Sequence, residues 1–299
     1  MVNNWSDNPE YEHFKYVTAI QSWIKTQPHL PQNIHPILLQ RFIHSVYGNV
    51  EKAKKLIENS FSMRNNYAHI FLKRDPLSIE SKQVFEVADM LPLPYATKEN
   101  YKIMLYRLAN TEAEKFNFTE AIKMFFMVAD VRLICMDANE PNSGWNGEVP
   151  VFDMNGFSLR HVTCVVLSVL RVYMKYTQEC HPVRLRSIHV INCSPYLDRI
   201  MAIVRPFMRK EVSKLLHFHK PDSDTLYKFI PKDLLPAEYG GKSGEVKEIK
   251  SKFVKLFDSY RDYLLDESRW KLNSINKNNR GSVNVEQEVS GNFRTLCID

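Results

Sequence analysis

Apolar residues recur at helical spacing through the first third of this chain. Phe14, Val17, Ile20 and Ile24 mark one face, and Leu38, Leu39, Phe42, Ile43 and Val46 mark a second that stops at Gly48. Asn49 is placed to cap a third helix with Ala53, Leu56, Ile57, Phe61 and Tyr67 along one side. Ser78 caps a fourth, which has to end before Leu91-Pro92-Leu93-Pro94. Two prolines so close together disfavour helix and mark the boundary between an N-terminal helical domain and a second domain.

Beyond the prolines the period changes. Tyr101 to Ala109 alternates in part and reads as a strand, and Thr119 to Asp137 as a strongly apolar helix. Asn139 to Glu148 is a turn-rich loop, Val149 to Met154 a second strand, and Asn155-Gly156 its break. Ser158 opens a long helix to about Gln178, and Leu185 to Ile191 is a third strand. Strands separated by helices need crossover connections, so the fold class is α/β with a largely parallel sheet behind an N-terminal helical domain. A further amphipathic helix begins near Glu245, with Val246, Ile249, Phe253, Leu256, Tyr260 and Leu264 on its apolar side. After Trp270 the composition turns to Asn, Ser, Lys and Gly, which predicts a mobile tail. The resulting division is 1–94 helical, 95–270 α/β and 271–299 tail.

The segment 196–210 is unusual. On a helix, Tyr196, Leu197, Ile200, Met201, Ile203, Val204, Phe207 and Met208 fall on one wide apolar face. Asp198, Arg199, Arg205 and Arg209 fall on the other. Such a helix either belongs to the core or covers an apolar cavity with its cations toward an anionic surface. Pro206 would cost roughly 3 kcal/mol in an unbroken helix and predicts a kink or break there.

Charge sharpens the picture. The chain of 299 residues carries a formal +6. Residues 171–220 hold ten basic and three acidic side chains, so this window is +7 and the rest sums to −1. A localised positive face points to phosphates, on lipid headgroups or nucleic acid. Interleaved exposed aromatics for a single-stranded nucleic acid are missing, so nucleic acid is not the expected partner. Arg184 and Arg186 stand two apart on the third strand and share a face. They are either solvated charges at a sheet edge or, with Arg209, Lys210 and Lys214, a phosphate-gripping cluster.

Catalytic signatures are scarce. Gly241-Lys242-Ser243 lacks the first glycine of a phosphate loop, where Pro236 stands, and no G-x-G-x-x-G or G-x-S-x-G occurs. His217 and His219 lack nearby acids or cysteines for a metal site, His189 reads as a hydrogen-bonded core residue, and Asp153 as the cap of the Asn155-Gly156 turn. No enzyme activity, cofactor or metal is expected. The five cysteines include no C-x-x-C pair and read as reduced thiols. The start, M-V-N-N-W-S-D-N-P-E, has no apolar signal core, and the longest nearly apolar run, Val162 to Leu170, is far below the roughly 20 residues of a membrane span.

Several ordered motifs resemble the CRAL-TRIO lipid-binding family over about residues 10 to 265. These are L-L-Q-R-F-I-H-S-V-Y-G-N-V-E-K-A-K-K-L-I-E-N-S-F, V-F-D-M-N-G-F-S-L-R-H, R-S-I-H-V-I-N, R-P-F-M and L-P-A-E-Y-G-G. They look most like the branch of tocopherol and retinaldehyde carriers. The resemblance implies a non-catalytic carrier; with the cysteine usage, a cytosolic monomer, peripheral and transient at membranes, is expected. It would move a tocopherol-, retinoid- or carotenoid-like lipid under a movable helix, here 196–210. By the same resemblance the cavity draws on Tyr106, Phe125, Phe126, Val151, Phe152, Val166, Leu170, Ile188 and Val190, with Leu197, Ile200, Met201, Ile203, Val204 and Phe207 from the cover. Arg184 and Arg186 match the strand half of a phosphoinositide-binding basic set. The helix half falls on Glu211 and Leu215, with Arg209, Lys210 and Lys214 on neighbouring turns. A phosphoinositide-sensing adaptor without transfer activity is the alternative.

Overall fold

The computed structural model describes residues 9–135, 146–193 and 195–274. Five helices come first: α1 (Pro9–Lys25), α2 (Pro36–Ser45), α3 (Val50–Asn66), α4 (Ala68–Phe71) and α5 (Ile79–Val87). Their apolar stripes meet in one core with Ile20, Leu39, Phe42, Ile57 and Phe61 nearly inaccessible to solvent. The caps are those the sequence predicts. Asn49 accepts from the Lys52 amide at 2.9 Å and Ser78 from the Ser81 amide at 3.1 Å, each worth about 1 kcal/mol.

A five-stranded sheet comes next, in the order β1-β2-β3-β4-β5. β1 (Ala88–Ala96) and β2 (Tyr101–Leu108) are antiparallel, and the remaining pairs are parallel. α6 (Phe118–Ile134) crosses to β3 (Gly147–Asp153), α7 (Leu159–Thr163) and α8 (Leu167–Glu179) to β4 (Ile188–Ile191). α9 (Leu197–Val204) and α10 (Lys210–Ser213) cross to β5 (Leu216–Phe218), and α11 (Val246–Ser259) and α12 (Arg261–Leu265) close the chain. The expectation of helices around a largely parallel sheet is met, with β1 and β5 added.

Leu91-Pro92-Leu93-Pro94 lies inside β1, where Pro92 sits opposite Met104. Proline cannot donate to a ladder, but β1 is an edge strand, and its pairing slips between Pro92 and Ala96. The helix expected from Ser158 to Gln178 is broken into α7 and α8. The amide of Cys164 bonds back to His161, and β-branched Val165 and Val166 come directly after it. The third strand is shorter than expected: only Ile188–Ile191 is regular, and Leu185 makes an isolated bridge to Glu148. The predicted break at Pro206 is present, since α9 ends at Val204 and a single tight turn, Arg205–Phe207, replaces its continuation. The expected tail lies, beyond residue 274, outside the described residues, as do most of the Asn139 to Glu148 loop and the end of the helix expected to reach Asp137.

Side chains alternate across the sheet, and the register sorts the expected residues. Met104 and Tyr106 of β2 lie beside Pro150 and Phe152 of β3, and Phe152 beside Val190 of β4. Ile188 and Val190 pair in turn with Leu216 and Phe218. Leu105, Val151, His189 and His217 form the next-row neighbours on the opposite face.

Candidate functional site

The face carrying Tyr106 and Phe152 turns toward α6 and α8. The rings of Tyr106 and Phe152 stack at 4.9 Å, Phe125 of α6 lies 5.6 Å from Tyr106, and Tyr173 of α8 meets Phe125 edge-on at 4.9 Å. Tyr106, Phe152, Tyr173 and Ile188 keep accessible surface in the middle of the fold. Burial nevertheless pushes the Tyr106 and Tyr173 phenols well up, with the nearby Glu148 charge acting in the same direction. Accessible groups in so desolvated a setting line a concave surface, not an outer one. Leu170 and Val190 are buried beside it, while Val166, at the start of α8, is 42% exposed and stands at its rim.

The residues expected together are not all together. Val151 points to the other face, with Leu105 and His189 as neighbours. Phe126 turns toward the N-terminal helices, with its ring 4.4 Å from Phe71 and 5.0 Å from Tyr176. Tyr173 joins the site without having been among the expected residues. Its spacing from Val166 and Leu170 is helical, i, i+4 and i+7, and that is the signal the sequence holds for it.

α9 follows β4 and leads back to the far end of α8. Of its apolar side only Met201 is buried, and Leu197, Ile200, Ile203 and Val204 are half-buried. Its entry is set by Asn192, which adopts a left-handed backbone (φ 51°) and whose side-chain amide donates to Asp153 at 2.8 Å. Its exit is pinned to α8. The Gln178 amide donates to the Phe207 carbonyl at 2.9 Å, the Arg209 amide donates to Gln178 Oε1 at 2.8 Å, and Arg171 lies 5.6 Å over the Phe207 ring. An apolar helix held at both ends and little buried between them is shaped as a cover.

The basic residues separate into two kinds. Arg184 and Arg186 flank the Leu185 bridge, at the end of the sheet where the central strand β3 begins. Their guanidinium groups sit on rings, Arg184 at 3.8 Å from Tyr47 and Arg186 at 5.0 Å from Tyr101, and the Nε of each has no hydrogen-bond partner among the described residues. Arg209 is tied to Glu179 at 2.9 Å. Lys210 and Lys214 are exposed, and the Ile188 amide bonds to the carbonyl of Leu215, so the backbone at Lys214 lies at the same end of the sheet as Arg186.

The opposite face holds a histidine chain. Ser187 Oγ meets His189 Nε2 at 2.9 Å, His189 Nδ1 meets His219 Nε2 at 3.0 Å, and His219 Nδ1 meets Thr225 Oγ1 at 2.7 Å. His217 stacks on His189 at 5.1 Å. Among the described residues no group of three or more histidine, cysteine or acidic side chains is placed to hold a metal ion, and no helix is long and apolar enough to cross a membrane.

Comparison with known proteins bears on the same segments. Residues 9–81 match the "Pinta-like, UBA domain" family, and residues 89–241 match the "CRAL/TRIO domain" family. The chain is 23% identical over 241 residues to the human (Homo sapiens) alpha-tocopherol transfer protein-like protein, covering 80% of this chain and 68% of that one. It is 23% identical over 241 residues to clavesin-1 of Xenopus laevis, covering 79% and 70%. The crystal structure of Sfh5 aligns at a TM-score of 0.49 and 15% identity, over 81% of this chain and 91% of that one. The CRAL/TRIO match takes in all five strands, α9 and the turn-rich segment that closes on Gly241, and it spans half the sequence: the chain belongs to the CRAL/TRIO family.

Proposed function

We propose that this protein binds one small apolar lipid between α9 and the aromatic face of its sheet and carries it between membranes. One observation bears most of the weight: α9 carries four half-buried aliphatic side chains and is pinned at its exit to α8, the helix beside a sheet face whose aromatic rings also remain accessible. Covering roughly 400 Å² of ligand apolar surface there contributes about 10 kcal/mol before ordering costs. The likeness to an alpha-tocopherol transfer protein-like protein supports the same reading. In it the helical part, drawn at 1–94, braces the lipid-binding part, drawn at 95–270, and α9 moves about Asn192 and the Gln178 pin.

Loading with α-tocopherol, a retinoid, a carotenoid and phosphatidylinositol in turn, and then extracting with organic solvent, tests the proposal. One molecule per chain should be recovered unchanged from at least one of them. Ile203→Asp should lower its retention at least about tenfold, because a carboxylate against an apolar ligand is strongly disfavoured, whereas Lys247→Asp on exposed α11 surface should not. Steady conversion to a new product would overturn the carrier reading. Binding without movement between vesicles would favour an adaptor.

The basic end of the sheet supplies the membrane contact in this proposal. Arg184, Arg186, Lys210 and Lys214 would meet anionic or phosphoinositide headgroups while cargo passes under α9.

A further inference from the structure

We propose that the hydroxyls of Tyr106 and Tyr173 form an uncharged anchor that selects lipids ending in a single neutral oxygen, an alcohol or a carbonyl, over phospholipids. The inference rests on the carrier reading of this site and says which end group its cargo presents.

The two phenols come from different elements, β2 and α8, and converge on the same ring, Phe125, at 5.6 and 4.9 Å. A tyrosine held inside a fold ordinarily finds a partner for its hydroxyl. Others here do so. Tyr176, three residues along α8 from Tyr173, is bonded to Ser60 at 3.1 Å and to Arg64, and Tyr239 donates to Asp153 at 2.7 Å. Among the described residues Tyr106 and Tyr173 have no hydrogen-bond partner, yet neither hydroxyl is sealed from solvent-sized contact. Two unused hydrogen-bonding groups therefore stand among side chains that are otherwise apolar, Phe125, Phe152, Leu170 and Val190. The packing of the described residues does not use them.

Charge decides what they can bind. The nearest ionic groups are Arg132 and Glu148, which pair with each other, with His181 3.3 Å from the same guanidinium. Burial and then Arg132 push His181 down to about 3, so it is neutral. Burial and then Glu148 raise both phenols, so each stays protonated and able to donate. A phosphate at this point would find no free counter-cation, because Arg132 is already engaged by Glu148. A hydroxyl or carbonyl oxygen would meet two donors in a dry aromatic setting, where a hydrogen bond is strengthened.

Retinol, its hydrocarbon counterpart lacking the hydroxyl, and phosphatidylinositol are the probes, titrated against the full chain and against Tyr106→Phe, Tyr173→Phe and the double variant. Phenylalanine keeps the ring contacts and removes only oxygens that no described protein group uses, so folding should be retained. The wild type should prefer retinol to the hydrocarbon by about 25-fold, each single variant should keep about 5-fold, and the double variant almost none. Hydrocarbon affinity should be alike in all four proteins. Equal binding of retinol and hydrocarbon by the wild type would overturn the anchor and leave the carrier intact. Phosphatidylinositol displacing retinol tightly, and unaffected by either substitution, would overturn the selection for neutral end groups. If no apolar probe binds at all, the carrier reading falls and the anchor with it.

Discussion

Arg184 and Arg186 differ from ordinary surface cations in how they are held. Each planar guanidinium lies on an aromatic face, which costs it little hydration and fixes its orientation. Burial lowers the Arg184 pKa, Tyr47 opposes this, and Arg186 adds to it. Two like charges held near each other, each with an Nε that no described residue satisfies, are poorly served by the protein alone. Those Nε atoms are buried, so an anionic headgroup would meet the outer guanidinium nitrogens, of which Arg186 Nη2 also donates to the Asn146 carbonyl at 2.9 Å. Reversing both to Glu should weaken binding to anionic vesicles about 30-fold or more, since each basic residue near such a surface contributes about 1 kcal/mol. Retinol affinity in solution should hardly change. Salt should narrow the difference, because screening sets in over about 8 Å at physiological ionic strength. Unchanged vesicle sedimentation would return these arginines to the role of solvated edge charges and leave Lys210 and Lys214 as the contact.

At the scale of elements, the β4–β5 pair is the weak edge of the sheet and carries the hinge of α9. The Cys193 amide bonds to the His219 carbonyl at 3.1 Å, so the histidine chain and the lid entry share a backbone. Burial first, then His219 and His217, push His189 down to about 4, and burial and His217 lower His219 too. An unfolded histidine takes up its proton near pH 6.5, whereas folded His189 refuses it until about pH 4. This contribution to stability is therefore complete above pH 6.5 and is lost as pH falls toward 4, by about 2 kcal/mol between pH 6.5 and 5. Urea unfolding at those two pH values measures it. His189→Gln, which can still bond Ser187 and His219, should flatten part of the slope. His181 pulls the same way and should keep the rest. A variant with the full wild-type slope would show that the cluster does not carry the effect.

At the scale of the molecule, one buried charge group joins the helical part to the sheet. Asp130 of α6 accepts from Arg64 of α3 at 2.6 and 2.8 Å and also from Arg74, and Arg64 reaches Tyr176 of α8. Trp270, near the end of the described chain, lies 4.8 Å from Arg64 and 4.7 Å from Arg74. Burial alone would raise the Asp130 carboxyl, but Arg64 and Arg74 outweigh it and hold it down. Removing the carboxylate leaves two buried guanidinium groups against each other. Asp130→Asn should cost about 3 to 5 kcal/mol of unfolding free energy, seen in a denaturant titration. The fraction that stays folded should bind retinol normally, because the cluster lies behind Phe126 and not at the aromatic wall. A loss under about 1 kcal/mol would mean that the two arginines find other partners.

Local physics makes much of this protein legible from its residues in order. Helical stripes, the Asn49 and Ser78 caps, the α/β alternation, the wide apolar face of α9 and its end at Pro206 all depend on neighbours within a turn or two. Placing Tyr106, Phe125, Phe152, Ile188 and Val190 near one another came from family resemblance, and the register of the strands gives its physical ground. Other features depend on groups far apart in the chain. Pro92 and Pro94 argue against a strand until the strand is known to lie at an edge, where a missing donor costs nothing. Val151 and Phe152 differ by one position yet face opposite sides, and which side is the binding side depends on what α6 and α8 cover. Asp130 and Arg132 read as interruptions in an apolar helix until α3 and β3 bring Arg64 and Glu148 to them. Tyr173 has helical spacing with Val166 and Leu170, but only the approach of Phe125 and Tyr106 shows its hydroxyl without a partner among the described residues. Periodicity and capping are short-range and survive in a linear reading; pairing, burial and desolvation are set by contacts that exist only once the chain has closed on itself.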